Sequence, residues 1–398
     1  MFDFTYTVSM NYHSRKMHAK LTELAEFYPI LVVCGPRQSG KSTLVKHVFS
    51  EYRYVSLEDI DQRSFATHDP RGFLEHYADQ VIIDEVQRVP ALFSYLQTHV
   101  DASPHAAHYV LTGSAQLDLV AGVTQSLAGR AALFQLLPLA HAELPKRCAR
   151  HSLEKTLYSG AYPRVQFDRV PIMDWYQDYI ASYLERDVRQ LINIKQLGTF
   201  QLFLKMCAAR CGQIVNHVSL AEDCGISPNT AKTWLNVLEA SYVIFRLPPF
   251  YRNYSKRLIK SPKLYFYDTG IVCALLGIRA ADDLVTHSLR GGLFESWVIS
   301  EYKKRFFNAH RDAPLYFWRD SKGREIDLVI ELQQQFHALE IKSGKTVNTH
   351  FFNNLDYLRT LAGDDMLQQC LVYGGRQSQK RSQGHIVSWQ ELEQFCID

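Results

Sequence analysis

The chain has 398 residues, 46% of them apolar, and a formal net charge of +3. That length allows two or three domains with cores of their own, and the charge is too small to mark a polyanion binder, so any basic surface must be local. Eight scattered cysteines without paired zinc spacing, no H-E-x-x-H, and no run near the ~20 apolar residues that cross a bilayer exclude a disulfide scaffold, those zinc sites and a membrane span.

Met1-Phe2-Asp3-Phe4 carries an early acid and does not begin a signal peptide, so a cytoplasmic chain is expected, with Cys207 and Cys211 as core thiols. Residues 15–30 read as an amphipathic helix. The apolar run Ile30-Leu31-Val32-Val33-Cys34 then leads into Gly35-Pro36-Arg37-Gln38-Ser39-Gly40-Lys41-Ser42, and Thr43-Leu44-Val45 follows. Strand, glycine-rich loop and helix are the context a phosphate-binding loop requires. Its glycines let several N–H groups converge on one anion, and the helix adds the positive end of its dipole. Residues 35–43 are therefore the candidate nucleotide cradle, with Lys41 on the β- and γ-phosphates and the Ser42 hydroxyl on Mg²⁺.

Val81-Ile82-Ile83-Asp84-Glu85 is a short buried-type strand ending in two carboxylates. Asp84 is expected to hold Mg²⁺ through water, and Glu85 to orient or deprotonate the attacking water. A third strand, Tyr109-Val110-Leu111, ends at Thr112-Gly113-Ser114, where Thr112 and Ser114 are candidates to sense a γ-phosphate. Arg130, in Ser126-Leu127-Ala128-Gly129-Arg130, is the candidate arginine for reaching a nucleotide, in its own subunit or a neighbour's. A surface arginine with no such role is the competing reading.

Residues 141–212 are helical by pattern, and Trp175, Tyr176, Tyr179, Ile180, Tyr183 and Leu184 form a packing stripe. Next, a short helix ends near Gly225, Ser227 caps another, and Pro228 takes its first position. This is helix-turn-helix grammar. Two strands follow, Tyr242–Leu247 and Lys263–Tyr267, as in a winged helix. Between them Arg246, Arg252, Lys256, Arg257, Lys260 and Lys263 occur without an acid. Such a wing would neutralise phosphates while Asn229, Thr230 and Lys232 approach a DNA groove. The alternative is a protein-packing module with a solvated basic loop.

Near the C-terminus, Glu295 lies on an expected helix from Leu293 to Arg305, Asp327 near the start of a strand, and Glu340-Ile341-Lys342 on another. Strand alternation puts Glu340 and Lys342 on one face. Asp327 and Glu340, with Glu295 added from the helix, would hold a metal while Lys342 orients water. Helix-Glu, strand-Asp and E-x-K in this order point to a restriction-endonuclease-like fold. The alternative is a relic whose acids pair with Lys342.

The whole chain resembles a bacterial and archaeal family of ATP-binding proteins with an N-terminal AAA-type ATPase core and a C-terminal domain of unknown function. The matching phrases are the loop 35–42, Ile83-Asp84-Glu85-Val86-Gln87, Leu111-Thr112-Gly113-Ser114, Gly160-Ala161-Tyr162-Pro163, Tyr183-Leu184-Glu185-Arg186-Asp187, the stretch 260–270, Phe294-Glu295 and Glu340-Ile341-Lys342-Ser343. Ser39 departs from the valine or threonine more usual there. The resemblance implies an α/β chain: an AAA-type P-loop ATPase domain at 1–140, a helical connector at 141–212, a winged helix at 213–275 and a restriction-endonuclease-like domain at 285–398. ATP and Mg²⁺ are the expected cofactors, DNA the expected partner, and a homo-oligomeric ring a further expectation. The function expected is Mg²⁺-dependent ATP hydrolysis that controls the C-terminal modules. The alternatives are an ATP-gated, metal-dependent DNA nuclease and a nucleotide-switched protein-binding module.

Overall fold

A computed structural model describes residues 12–102, 109–114, 126–168, 170–188, 197–251 and 261–394, without the side chains of Ala149, residues 185–188 and Gln394. Arg252, Tyr254, Lys256, Arg257 and Lys260, and the side chains of Glu185, Arg186 and Asp187, thus lie outside the described residues.

The first layer is a parallel five-stranded sheet. Its strands are β1 (Ile30–Gly35), β2 (Arg53–Ser56), β3 (Val81–Asp84), β4 (Tyr109–Ser114) and β5 (Ala131–Gln135), in spatial order β2-β3-β4-β1-β5. β1 is apolar at every position from Ile30 to Cys34 because both its faces are covered. Ile30, Val32 and Cys34 face α3 (Ile60–His68), α4 (Pro70–His76) and α5 (Leu92–Ala102). Leu31 and Val33 face α1 (Met17–Leu24) and α2 (Lys41–Val48). Each such aliphatic side chain contributes roughly 1.5–3 kcal/mol by leaving water. The helix expected over 15–30 is shorter, because the chain must straighten into β1 after Leu24.

A helical layer follows: α6 (Leu153–Ser159), α7 (Pro163–Phe167), α8 (Ile172–Tyr179), a π-helix (Ile180–Val188) and α9 (Leu197–Ala209). The aromatic stripe of α8 is buried, with Tyr162, Trp175, Tyr176 and Tyr179 in mutual ring contact. Then come α10 (His217–Cys224) and α11 (Pro228–Ala240). Gly225 ends α10 at φ +64°, and the Ser227 hydroxyl accepts from Thr230 N at 3.1 Å. An antiparallel pair, β6 (Ile244–Leu247) and β7 (Lys263–Phe266), completes the module, with Leu247 opposite Lys263.

After α12 (Thr269–Leu275) and the long α13 (Arg290–Asn308), a six-stranded mixed sheet forms. It holds β8 (Leu315–Arg319), β9 (Glu325–Leu332), β10 (Gln335–Lys342), β11 (Met366–Tyr373), β12 (Gln379–Arg381) and β13 (Gly384–Ser388), in order β12-β13-β11-β10-β9-β8. α14 (Asn353–Ala362) covers one face. One continuous apolar core runs from Leu137 to Leu392. The middle helices, the hairpin and α13 are therefore packed as one body rather than strung on linkers. Ser296 and Ser300 of α13 fix the hairpin by accepting from Phe266 N and donating to Phe266 O and Tyr267 O.

Candidate functional site

The phosphate loop sits at the C-terminal end of β1. Gly35 has φ +149°, and a Cβ there would stand 2.1 Å from the Leu136 carbonyl oxygen, so only glycine fits. Gln38 and Gly40 also take positive φ, +60° and +96°, curling the loop around the start of α2. That start has no side-chain cap and no acid in its first turn. Its free amides are the anion-binding feature of a helix N-terminus.

Lys41 is buried and donates to the Gly35 and Pro36 carbonyls at 3.0 and 2.9 Å. Burial pushes its ammonium down from the ordinary value, and Glu85 and Asp84 partly offset this. Pro36 and Ser39 are buried, Arg37 is half-buried, and Gln38 and Thr43 are exposed.

Sheet order brings the acids to the loop. β4 lies between β1 and β3, with Val33 opposite Thr112 and Gly35 opposite Ser114. Asp84 Oδ1 accepts from the Ser42 hydroxyl at 2.9 Å and from Thr112, and Oδ2 accepts from Tyr54 at 2.6 Å. Glu85 turns out of the strand at φ +56°. It accepts from Gln87 Nε2 and, at 3.4 Å, from the Ser114 hydroxyl, while Gln87 also reaches Ser114 at 3.2 Å. Lys41, Ser42, Asp84, Glu85, Thr112 and Ser114 thus form one cluster. A hydroxyl and a carboxylate beside uncapped amides are hard oxygen donors that fit Mg²⁺ with a phosphate chain.

Sequence reasoning missed three residues here. Tyr54 and Gln87 orient the two carboxylates. Arg15 braces the loop from below, donating to Ser39 O and Leu137 O, both at 2.8 Å, and pairing with buried Glu143 at 3.1 Å. Gln87 lies within the quoted family phrase, and that signal was available. Nothing local marks Arg15.

Arg130 is not brought to its own loop. The Arg130 carbonyl accepts from Ile30 N, the first residue of β1, at 3.2 Å, and the loop begins at the far end of that strand. At ~3.3 Å per residue, β1 spans roughly 17 Å between them. The guanidinium forks onto Asp101 at 2.5 and 2.8 Å instead.

The helical layer touches the loop. Tyr179 donates to Arg37 O at 3.4 Å, and the Arg37 guanidinium lies over the Tyr183 ring. Tyr242, which precedes β6, meets Cys34 of β1 at 3.5 Å between Oη and Sγ.

Three family models match the chain: an AAA domain over residues 28–144, a domain of unknown function (DUF8612) over 150–282, and another (DUF4143) over 290–392. Two curated relatives, uncharacterized proteins of Mycobacterium tuberculosis and Mycobacterium bovis, are each 32% identical over 336 residues, covering 83% of this chain and 74% of theirs. The chain belongs to this AAA–DUF4143 family. Among solved structures it is similar to the Walker-type ATPase PABY2304 of Pyrococcus abyssi, 14% identical with a TM-score of 0.44, covering 66% of this chain and 96% of that one. Among the described residues, no helix is long and apolar enough to cross a membrane.

The DUF4143 region of this AAA-family chain holds the second cluster. Glu295 of α13, Asp327 of β9, and Glu340 and Lys342 of β10 converge as expected. Lys342 Nζ lies 3.3 Å from Asp327 and 2.5 Å from Glu340. Ile341 N donates to Asp327 at 2.7 Å. Glu325, which the sequence reading passed over, joins them. It lies two residues before Asp327, on the same strand face. Glu295, Glu325 and Asp327 each place an oxygen within 4.8 Å of the others. Burial first, then Asp327, raises the Glu295 and Glu340 carboxyls above their ordinary values. The donor type suits a divalent cation, yet ammonium groups already stand among the acids.

One of those ammonium groups corrects the expected basic wing. Lys263 is buried and paired with Glu295 and Glu325, and Arg246 is held by Glu239 at 2.8 Å through Nε. Neither is free to neutralise phosphates, and the wing's other four cations lie outside the described residues. On α11, Asn229 and Lys232 are exposed and Thr230 half-buried.

Proposed function

We propose that the chain is a Mg²⁺-dependent ATPase whose nucleotide state repositions the helical layer and the modules beyond it, on DNA. The observation that carries this reading is the meeting of the Lys41–Ser42 helix start with the Asp84–Glu85 strand end. The loop amides and Lys41 would bind the β- and γ-phosphates, Lys41 exchanging its two carbonyl acceptors for phosphate oxygens. Ser42 and Asp84 would hold Mg²⁺, which neutralises charge on the transferring group when bound. Glu85 would accept the proton of the attacking water, with Gln87 and Ser114 fixing its carboxylate. Thr112 holds Asp84 in place.

Coupling to the rest of the chain is supported by the contacts of Arg37 with Tyr179 and Tyr183, and of Cys34 with Tyr242. A phosphate arriving at the loop would shift the residues these aromatic groups rest on. DNA engagement is supported by the exposed Asn229 and Lys232 face of the capped second helix. ATP turnover measured with and without single-stranded, duplex and branched DNA tests the reading. Stimulation that weakens with salt supports the DNA half. Turnover indifferent to every DNA would leave an ATP-driven switch for a protein partner.

A further inference from the structure

The C-terminal carboxylate cluster contains a cation from another part of the chain. Lys263 Nζ lies 2.7 Å from Glu295 Oε1 and 2.5 Å from Glu325 Oε1. Its side chain is 3% exposed, so no water competes for those contacts. Tyr265 donates to the same Glu295 oxygen. Two carboxylates at ion-pair distance hold the amine as an ammonium ion.

The placement is specific. Among the described residues, Glu295, Glu325 and Asp327 are the three whose oxygens approach one another closely enough to share one metal ion. Lys263 bridges two of them. It stands on β7 of the hairpin, not on the six-stranded sheet. Lys342 neutralises Asp327 and Glu340 from the other side, and Arg319 pairs with Glu325 at 3.2 Å. Among the described residues the buried Glu340 Oε2 has no hydrogen-bond donor, and the Glu340 carboxyl feels the charge of Asp327. A dipositive ion placed among these acids would lie beside the Lys263 ammonium in a site of low dielectric, where like charges repel strongly.

We propose that the Lys263 ammonium is the resident cation of this cluster, acting as an ionic lock between the hairpin and the C-terminal sheet, and that the cluster takes a divalent cation only when Lys263 is removed or withdrawn. The nuclease-like residues are then a centre silenced by an internal charge. This inference concerns the C-terminal centre alone and does not depend on ATP turnover.

The test uses the full chain without nucleotide and Mn²⁺ alone as the probe. Calorimetry and the Mn²⁺ paramagnetic signal read binding to the parent, to Lys263→Met and to Lys263→Met with Glu295→Gln. The parent is expected to retain no Mn²⁺ at this site. Lys263→Met should gain one Mn²⁺ per chain, roughly tenfold tighter or more, and the added Glu295→Gln should remove it. Lys263→Met leaves Glu295 without its cation and Glu325 with Arg319 alone, so its melting temperature should fall and recover with Mn²⁺. The parent's should not respond. Equal Mn²⁺ affinity in parent and Lys263→Met, or no gain in a folded Lys263→Met, would overturn the proposal. If Lys263→Met and Lys263→Gln both fail to fold, the parent decides. Tight Mn²⁺ binding lost in Asp327→Asn overturns the lock, and no retention supports it. Nucleotide is absent throughout, so either result leaves the ATPase reading to its own test.

Discussion

The Tyr54 hydroxyl donates to Asp84 Oδ2 at 2.6 Å, while Ser42 and Thr112 hold the other oxygen of the same carboxylate. Three hydroxyls from three elements thus fix one acid beside the phosphate loop. A metal ion or its bound water recruited to Asp84 Oδ2 would share that oxygen with the Tyr54 donor, which draws off part of its negative charge.

Tyr54→Phe removes that competitor without emptying the site, since the ring is partly exposed and stacked under Lys46. The variant should fold with a loss of about 1 kcal/mol or less. It should reach half-maximal ATP turnover at a lower Mg²⁺ concentration than the parent. A Mg²⁺ titration of turnover reads this directly, and a requirement for more Mg²⁺ would make Tyr54 a support of the metal site.

Arg15 carries the loop on side-chain bonds to two main-chain carbonyls and an ion pair with Glu143 that is 1% exposed. Arg15→Met should cost about 3 kcal/mol in urea unfolding, because it leaves a buried carboxylate short of its cation. Glu143 still accepts from Lys16 N and Ala140 N, which keeps the loss from growing larger. The KM for ATP should rise more than kcat falls, since the loop is loosened and Glu85 is untouched. An unchanged unfolding midpoint would show that Arg15 does not brace the loop.

Asp268 caps α12 from within the core, accepting from Ala161 N at 2.6 Å, Tyr176 at 2.8 Å and Ile271 N at 3.2 Å. Burial raises its pKa despite these donors. The folded chain therefore keeps this proton to higher pH than the unfolded chain, whose carboxyl ionises near about 3.9. Stability contributed by the protonated form is lost as pH rises above that value, until the folded carboxyl ionises as well. Asn cannot ionise, so the parent should lose stability relative to Asp268→Asn as pH climbs from about 4. Urea unfolding of both chains at several pH values measures the difference, and a pH-independent offset would contradict it.

The sequence made the nucleotide site legible where chemistry is local. A strand, two glycines and Lys41–Ser42 are contiguous, and Asp84, Glu85, Thr112 and Ser114 end apolar strands that could only be neighbours in a parallel sheet. Arg15 was hidden because two of its partners are main-chain carbonyls, which leave no residue signature, and the third, Glu143, is far off in sequence. Lys263 was read as a surface cation because charge can be counted in a sequence and burial cannot. The strands β2, β5 and β11 to β13 also went unmarked: β2 is four residues long and opens on an arginine, β5 alternates weakly, and Met366–Tyr373 carries two glutamines in an apolar run. Glu325 needed only the two-residue period from Asp327 to be found.

Arg130 lies too far from its own loop to touch the nucleotide there, so any catalytic part must be played on a neighbouring chain. Arg130→Ala should then bind ATP normally and turn it over slowly. Mixing it with Lys41→Ala should restore activity, because an intact loop on one chain meets an intact arginine on the other. Full activity in Arg130→Ala alone would reduce Arg130 to its pair with Asp101, and a slow variant that the mixture fails to rescue would contradict a site shared between chains.

The central claim is that the loop around Lys41 binds ATP and that Glu85 drives its hydrolysis. Titration calorimetry with Mg²⁺ and ATP, paired with turnover, measures both in the parent, Lys41→Ala and Glu85→Gln. One ATP per chain is expected for the parent and for Glu85→Gln, no binding by Lys41→Ala, and turnover in Glu85→Gln lower by about 10²-fold or more. A parent chain that takes up no ATP, or a Glu85→Gln variant that hydrolyses it at the parent's rate, would contradict that claim.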